Sequence, residues 1–398
     1  MTSHIYLDHA ATTPMRPEAV AAMVAHLDKL GNASSLHASG RAARRVVEES
    51  RETVAQALGA RPSEVVFTGG GTEADNLAVK GLFWARHTAD ARRTRVLVSA
   101  VEHHAVLDAA QWLAKEAGAS LELLPVDRDG RVLVEAARDS IARSPETVAF
   151  VSVMWVNNEV GTIQPVASIA SIAAEYGIPV HTDAVQAVGQ LPVDFSTAGV
   201  DALTVTGHKV GGPFGVGALV LRRETSVTPV LHGGGQERDV RSGTLDVPAM
   251  AGFAAAIELA VREQAQLAAS LSELSSELVR QVLAAVPEAE LNGSVGVDRL
   301  PGNVHFSFPG CEGDSLLLLL DARGIECSTG SACSAGVAEP SHVLIAMGRD
   351  EERARGSLRF SLGHTSTQAD VDALGRVIGP VVERARKAGL VNLGGGSR

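Results

Sequence analysis

Five short segments of the sequence carry residue types that could do chemistry, and the first is a run of glycines. Residues 68–75 read TGGGTEAD and lie between a β-branched run and a helical pattern. Glycines let a backbone approach a ligand closely, and the start of a helix offers unpaired N–H groups and a positive dipole end to a phosphate. The spacing matches neither a Walker loop nor a dinucleotide-binding fingerprint. The segment therefore predicts a phosphate cradle, with an ordinary turn, capped by Thr72 and Asp75, as the alternative.

A lysine and an aspartate each follow a later apolar run. Lys209 stands at the end of such a run and opens a Gly-rich loop. At the carboxyl end of a strand, a lysine is a candidate Schiff-base residue; the alternative is a solvated loop side chain. Asp183 precedes it by 26 residues. A buried carboxylate needs a cationic partner, and the ring nitrogen of pyridoxal phosphate (PLP) is one; the alternative is a helix N-cap.

The last two segments contain histidine and cysteine. His103 and His104 are adjacent, so their side chains point to different faces, and no matching Cys/His cluster supports a metal site. His103 is a candidate for stacking on a planar cofactor, and the alternative is a core or capping role. Cys333 lies in a loop of small residues, 328–336, where a thiol can react with a group brought to it. Cys327 lies in an apolar run, and the three cysteines match no zinc or iron–sulfur pattern.

The elements that must position these residues alternate along the chain. Strands are predicted at 64–68, 95–99, 121–124, 148–154, 180–182, 203–206 and 218–221, with helical stretches between them. This alternation predicts an α/β domain with a mainly parallel sheet. Residues 253–286 contain neither Gly nor Pro and predict a long helix. After it, predicted strands at 303–308, 325–328 and 358–362, with helices at 315–323 and 368–388, indicate a smaller α+β domain.

Composition excludes several classes of protein. The 398 residues carry a net charge of -11, which argues against a general nucleic-acid binder with a basic stripe. The longest aliphatic run, 316–320, is far shorter than the ~20 apolar residues of a membrane span. No signal peptide is visible at the N-terminus, and three cysteines do not make a disulfide framework. We therefore expect a cytoplasmic protein that binds neither membranes nor nucleic acid.

The combined motifs resemble the cysteine desulfurases of the NifS/IscS type, which belong to the class V PLP-dependent aminotransferases. Matching segments run from 6–14 (YLDHAATTP) to 357–363 (SLRFSLG) and include 156–161 (VNNEVG), 232–237 (HGGGQE) and 241–244 (RSGT). The resemblance implies the α/β fold of PLP-dependent transferases of fold type I. We expect a large PLP-binding domain at 15–255 with a mainly parallel, seven-stranded sheet. Residues 1–14 and 256–398 would form the smaller α+β domain, which carries the cysteine loop.

The resemblance also implies a role for each candidate residue. Lys209 matches the Schiff-base lysine, Asp183 the partner of the ring nitrogen, and His103 the stacking and proton-transfer imidazole. Arg359 matches the arginine that grips the substrate carboxylate, with Asn158 beside both substrate and cofactor. Cys333 matches the catalytic cysteine. The further cofactor contacts implied are Gly71, Thr72, Gln186, Thr206, His208 and, from the neighbouring subunit of a homodimer, Thr244.

The activity implied by this resemblance is the PLP-dependent conversion of L-cysteine to L-alanine. A persulfide would form on Cys333, and its sulfur would pass to an iron–sulfur scaffold or a tRNA-thiolation protein. No metal site is expected, although a transient contact of Cys333 with an iron–sulfur cluster stays open. The alternatives are a selenocysteine lyase, another class V aminotransferase, or a non-enzymatic sulfur-relay partner. Thr206 stands where the family often has Ser, and the short, Gly-rich tail differs from relatives that dock a scaffold through their C-terminus.

Overall fold

Strands and helices alternate through most of the chain, and the computed structural model describes residues 4–330 and 340–394. The strands in these residues are β1 (Ile5–Tyr6), β2 (Val65–Thr68), β3 (Arg95–Ser99), β4 (Ser120–Leu124), β5 (Val148–Ser152), β6 (Val180–Asp183), β7 (Ala202–Thr206), β8 (Gly217–Leu221), β9 (Glu290–Asn292), β10 (Asn303–Ser307), β11 (Ile325–Glu326) and β12 (Ser357–Ser361). The α-helices in the same residues are α1 (Pro17–Leu27), α2 (Ala38–Ala57), α3 (Gly71–Ala89), α4 (His104–Glu116), α5 (Val134–Ala142), α6 (Val166–Ala174), α7 (Phe195–Ala198), α8 (Val247–Ala285), α9 (Gly313–Asp321), α10 (His342–Ala346), α11 (Glu351–Arg355) and α12 (Gln368–Gly394).

A seven-stranded sheet forms the centre of the larger part of the molecule. Its strand order is β2-β8-β7-β6-β5-β3-β4. The five strands from β7 to β4 are parallel, whereas β8 runs antiparallel to both of its neighbours. Every residue of β5, β7 and β8 is buried, as expected of strands that have helices on both faces. The predicted α/β fold with a mainly parallel, seven-stranded sheet is confirmed, and its parallel strands bring Ser152, Asp183 and Thr206 to one edge.

Two predicted boundaries differ from the structure for identifiable reasons. Strand β5 ends at Ser152, two residues before the predicted end, because the Met154 N–H donates to Oε1 of Glu102 instead of to a neighbouring strand. Helix α8 begins at Val247 rather than at residue 253, because Asp246 accepts a hydrogen bond from the Ala249 N–H and caps it. Pro248 is compatible with a first helical turn, where no intrahelical N–H bond is needed.

The smaller part of the molecule is built around a second sheet. Strands β12, β10 and β9 form an antiparallel sheet in that order, and β1 pairs with β11 in parallel. Helices α9 and α12 pack together beside this sheet. Because β1 belongs to this region, the N-terminal segment starts in the smaller part and then crosses to the larger one.

The buried apolar side chains form separate clusters on the two sides of this division. One cluster fills one face of the large sheet and takes Ala249–Ala260 from α8, while a second lies under the small sheet and takes Leu271–Val282 from the same helix. A third covers the other face of the large sheet with α3 and α4. The predicted boundary at residues 255 and 256 falls inside α8, and it stays a prediction.

Within residues 4–330 and 340–394, no helix combines the length and the apolar character needed to cross a membrane.

Candidate active site

A cleft of about 400 Å³ lies at the carboxyl edge of the parallel strands, where the large sheet meets the smaller part of the molecule. Ten of the predicted site residues line it: Gly71, Thr72, His103, Asn158, Asp183, Gln186, Thr206, His208, Lys209 and Arg359. Two predicted residues are not among them. Thr244 is exposed and does not line this cleft, and Cys333 lies in 331–339, outside the described residues. Strand ends and Gly-rich turns thus place residues from 71 to 359 around one cavity.

Lys209 is held by a short 3-10 turn that follows β7. The turn spans Gly207–Lys209, and it directs the Lys209 ammonium toward the N-terminal segment. There Nζ donates hydrogen bonds to the carbonyl oxygen of Ala10 and, over 2.7 Å, to that of Ala11. Burial lowers the pKa of Lys209 to about 8, with a further contribution from the positive charge of Arg359. A larger fraction of this amine is therefore neutral near neutral pH than in an ordinary lysine, which favours a Schiff-base role.

Asp183 is the last residue of β6 and is buried at the floor of the cleft. Its Oδ1 accepts a hydrogen bond from the Val185 N–H over 2.9 Å. Burial raises the pKa of Asp183 to about 6, while that N–H and the charge of Lys209 oppose the rise. No helix follows Asp183 in the next ten residues, so the alternative of a helix N-cap is wrong. A cation placed against this carboxylate would stabilise its charged form.

The glycine run has the geometry of a cradle. Gly70 adopts a φ of 142°, and helix α3 begins at Gly71. A Cβ added to Gly71 would lie 3.3 Å from Cγ2 of Val185 and 3.6 Å from Cβ of Thr206, so a side chain here would fill the space beside the loop. No side chain caps α3, and the first-turn N–H groups stay available to an anion.

The predicted capping box at this helix is wrong. The N-cap of α3 is Gly70 rather than Thr72, and Asp75 lies on the helix face that packs on the sheet, where its side chain is buried. Glu73 bonds back to the loop before the helix, because its Oε2 accepts the Gly69 N–H over 2.8 Å. The spacing of Thr72 and Asp75 fits the motif, but burial decides the orientation of Asp75.

His103 combines the two roles that the sequence left open. It is the N-cap of α4, where its Nδ1 accepts the Ala105 N–H over 3.1 Å, and its ring lines the cleft. Desolvation, followed by the charge of Lys209, lowers the pKa of His103 to about 4. The imidazole is therefore neutral at neutral pH, with its proton on Nε2 because Nδ1 is an acceptor.

Arg359 reaches the cleft from β12 of the smaller sheet. Its guanidinium donates to the carbonyl oxygen of Asn158 over 2.9 Å and to Oδ1 of Asp8 over 2.8 Å. Arg359 is buried, and its Nε has no hydrogen-bond partner within the described part of the chain. The two bonds fix the plane of the guanidinium, which is the geometry that a fork for a substrate carboxylate needs.

The remaining predicted cofactor residues are fixed mostly by the N-terminal segment. Gln186 donates from Nε2 to the Ala10 carbonyl oxygen over 2.9 Å, and His208 Nδ1 lies 3.3 Å from Oγ1 of Thr12. The Thr206 hydroxyl donates to the carbonyl oxygen of Val216 over 3.2 Å. The hydroxyl that the family often supplies through Ser is thus present in Thr206.

Sequence reasoning missed three acidic residues at this site, one of which is Glu159 in the cleft wall. Asp75 lines the cleft, and Glu102 is fully buried behind it, where its Oε1 accepts the Met154 N–H over 2.6 Å. The signal for Asp75 is its position among the apolar residues Ala74, Leu77 and Ala78 of one helix face, where a charged residue is unusual.

These residues fit PLP. The cleft offers a partly neutral lysine amine, a buried carboxylate for a ring nitrogen, an imidazole, and a glycine cradle at a helix start for a phosphate. In addition, the buried Oδ1 of Asp75 has no hydrogen-bond partner among residues 4–330 and 340–394. The same residues contain no group of His, Cys, Asp and Glu side chains that could hold a metal ion.

Comparisons with known proteins agree with this site. The model of the family described as aminotransferase class V matches residues 5–374. An IscS-like cysteine desulfurase of Mycobacterium tuberculosis is 58% identical over 98% of this chain and 99% of its own. A solved NifS-like protein superposes with a TM-score of 0.88 at 35% identity, covering 96% of this chain and 100% of that one. SspA in complex with cysteine superposes with a TM-score of 0.77 at 32% identity, covering 91% of this chain and 99% of that one. The chain therefore belongs to the class V aminotransferase family, and within it to the PLP-dependent cysteine desulfurases of the IscS/NifS type.

Proposed function

We propose that this enzyme converts L-cysteine to L-alanine and captures the sulfur as a persulfide on Cys333. The observation that carries the proposal is one cleft that joins Lys209, Asp183 and Arg359, three residues from distant parts of the chain. Bound PLP supplies an electron sink for the negative charge that develops at the substrate Cα. The protein supplies the groups that hold the substrate, move its protons and accept its sulfur.

Each of these tasks matches a residue of the cleft. The Arg359 fork binds the substrate carboxylate, and the Asn158 carbonyl oxygen and Asp8 hold that fork in place. The Lys209 amine, with its lowered pKa, binds the cofactor and then moves the α-proton. His103 would stack on the ring of bound PLP, and Asp183 would hold its ring nitrogen. Gly71, Thr72, Thr206 and His208 surround the phosphate, and Gln186 bonds the ring hydroxyl.

Cys333 is the thiol proposed to take the sulfur. Its thiolate attacks the substrate sulfur and the Cβ–Sγ bond of the substrate breaks. The electron pair of that bond stays on the carbon fragment, which is protonated at Cβ and leaves as alanine. Gly330 and His342, the described residues nearest to it on either side that line the cleft, support this role. Cys333 is three residues from Gly330, a separation that a chain spans with at most about 11 Å.

The other two cysteines are poor candidates for this task. Cys311 and Cys327 are buried thiols. Burial raises the pKa of Cys327 to about 12 and also raises that of Cys311. Because the thiolate is the nucleophilic form, both side chains are protonated and unreactive at neutral pH.

A homodimer is the proposed working form. Helix α1 and the loop after it expose Val24, Leu27, Leu30 and Leu36 at 58%, 64%, 89% and 89%. Such a concentration of exposed apolar side chains is typical of a protein interface. Thr244, which does not line the cleft of its own chain, would reach the phosphate in the partner subunit. The sulfur acceptor would be an iron–sulfur scaffold or a tRNA-thiolation protein in the cytoplasm.

The experiment that tests the function uses the purified, PLP-loaded protein with L-cysteine and a thiol reductant. Equal amounts of alanine and sulfide are expected, and a persulfide should be found on Cys333 by mass spectrometry when the reductant is omitted. A protein that releases alanine only from L-selenocysteine would overturn the proposal in favour of a selenocysteine lyase. A protein that releases none from either substrate would favour a sulfur-relay role without turnover.

A further inference from the structure

A continuous chain of buried polar groups crosses the floor of the cleft beneath Asp183. His181, two residues before Asp183 on β6, lies with its Nδ1 2.9 Å from the Ser152 hydroxyl and its Nε2 3.0 Å from that of Thr204. The same Nε2 is 3.6 Å from Oδ1 of Asp75. All four side chains are buried. Strands β5, β6 and β7 and helix α3 each contribute one of them.

The directions of these bonds follow from the state of the imidazole. Burial lowers the pKa of His181 to about 3, so the ring is neutral and carries one proton. With that proton on Nε2, Ser152 donates to Nδ1, His181 donates to Thr204, and the Thr204 hydroxyl is free to donate to Asp75. Such a chain orients the Asp75 carboxyl against the sheet.

Asp75 is unusual because it lines the cleft, is 1% exposed, and still leaves Oδ1 without a hydrogen-bond partner among the described residues. A buried carboxyl oxygen without a partner is unfavourable, because it has lost the hydrogen bonds that water gave it in the unfolded chain. Oδ1 lies 3.6 Å from Nε2 of His181, and Asp75 also forms part of the cleft wall, so a charge bound in the cleft would act on this buried carboxyl.

We propose that Asp75, held by His181 and Thr204, is a second acidic group of the cofactor site that supports the protonated ring nitrogen beside Asp183. Asp75 is a positioning residue in this role, because it acts on the ring nitrogen through its electrostatic interaction with Asp183. The proposal rests on the proposed function of Asp183, and it adds a residue and a hydrogen-bond chain to that function.

The charges around Asp75 explain why a second acidic residue would help Asp183 to keep the ring nitrogen protonated. The groups that face it are Asp183, Glu102 and His181, with the Lys209 amine across the cleft. Burial, then the charges of Asp183 and Glu102, raises the pKa of Asp75 well above its usual value. The protonated ring nitrogen of bound PLP would bring a positive charge toward Asp183 and Asp75 in addition to that of Lys209. Two carboxyl groups hold this proton more firmly than Asp183 alone.

The decisive experiment measures the protonation of the PLP ring nitrogen directly. Wild-type, Asp75→Asn and Thr204→Val proteins are loaded with PLP labelled with ¹⁵N in the ring, and the ¹⁵N chemical shift is followed against pH. Asp75→Asn is expected to lose the ring proton at a pH at least about one unit lower, a tenfold change in proton affinity. Thr204→Val, which keeps the shape and removes the hydroxyl, is expected to shift it less in the same direction. Asp139→Asn removes an exposed carboxylate on α5 and serves as the matched control.

A second measurement uses the full chain without cofactor. Because the pKa of Asp75 is raised in the folded state, its contribution to stability is complete below the unfolded pKa of about 4 and is lost as the pH rises through the folded pKa. The melting temperature of Asp75→Asn should therefore fall less than that of wild type as the pH rises from about 5 to about 8.

The outcomes separate this proposal from the proposed function. Ring titrations that agree for wild type, Asp75→Asn and Thr204→Val overturn the role of Asp75, whatever the activity of the variants. A shift as large in Asp139→Asn overturns it as well, because a remote charge would then have the same effect. Failure of the proposed function would appear instead as wild-type protein that forms no alanine from L-cysteine.

Discussion

The groups around the Lys209 amine have opposing effects on its pKa. Burial and Arg359 favour its neutral form, while Asp183 and Asp8 favour the charged one, and the net result is a pKa of about 8. An ordinary lysine in water would be almost fully charged at a pH of about 8. The consequence is an amine that can attack an aldehyde under physiological conditions without a separate base.

This pKa predicts the pH dependence of cofactor loading. The rate at which cofactor-free protein takes up PLP should rise with pH and level off above a midpoint near the pKa of about 8, because only the neutral amine reacts. Stopped-flow absorbance measures the rate, and Lys209→Ala should form no covalent adduct on borohydride reduction. A rate that keeps rising well beyond this midpoint would show an ordinary, solvated lysine.

The cysteines give the second prediction at this scale. Cys333→Ser should bind PLP and L-cysteine but form neither alanine nor persulfide, since a serine hydroxyl is not a comparable nucleophile at neutral pH. Cys311→Ser and Cys327→Ser, with buried thiols of raised pKa, are the matched controls and should retain turnover. Alanine release by Cys333→Ser at the wild-type rate would contradict persulfide capture.

Arg359→Lys tests the carboxylate fork. The substitution keeps the positive charge but removes the planar pair of donors, so KM for L-cysteine should rise by about tenfold or more while PLP binding stays unchanged. Steady-state kinetics and a PLP titration provide the two readouts. An unchanged KM would place the substrate carboxylate elsewhere in the cleft.

At the scale of elements, the glycine at the start of helix α3 favours cofactor binding over the stability of the helix. Alanine is preferred over glycine inside a helix by roughly 1 kcal/mol. Gly71→Ala should therefore leave the cofactor-free protein at least as stable as wild type. Its Cβ would come within 3.3 Å of Val185 and fill the cradle, so PLP affinity should fall by about tenfold. Thr88→Ala, at the exposed end of the same helix, is the control and should change neither property. Unchanged PLP affinity in Gly71→Ala would show that the phosphate lies elsewhere.

The same element shows how far sequence alone leads. Asp183 and Lys209 were predictable as neighbours because parallel strands end at one edge of a sheet, and this requires no knowledge of long-range packing. The role of Arg359 was predicted only through the resemblance, because Arg359 reaches the cleft only when the smaller sheet forms. Its contact with Asp8, from the opposite end of the chain, was not predicted. Asp75 was assigned to a cap because local spacing fits that motif, whereas tertiary burial determines its role.

At the scale of the whole molecule, the exposed apolar face of α1 predicts association. Leu27→Asp should weaken a dimer that buries this face, because a carboxylate would lose its hydration there. Light scattering measures the mass, and Leu318→Asp, which alters a side chain 70% exposed on α9, is the matched control. A Leu27→Asp protein of unchanged mass would exclude α1 from the interface.

Shared active sites provide an independent prediction for the dimer. If Thr244 serves the partner subunit, Lys209→Ala and Thr244→Ala should each be impaired alone. Mixed heterodimers should recover some activity, because one of their two sites contains only wild-type residues. No recovery after subunit exchange confirmed by mass spectrometry would place Thr244 outside the partner's site.

Helix α8 also has a consequence for the order in which the chain folds. Its 39 residues make a rod about 60 Å long, whose first half packs in one cluster and whose second half packs in the other. The turns between them, near residues 261–270, are mostly solvent-exposed, and there Glu263 accepts a hydrogen bond from Arg16 while Gln264 donates one to the Gln190 carbonyl oxygen. Once one cluster condenses on its half of α8, the nucleation step for the other half is already complete, and extension adds one hydrogen bond per residue. The helix thereby makes folding of the two clusters cooperative, and it does so through a stretch that touches neither substrate nor cofactor.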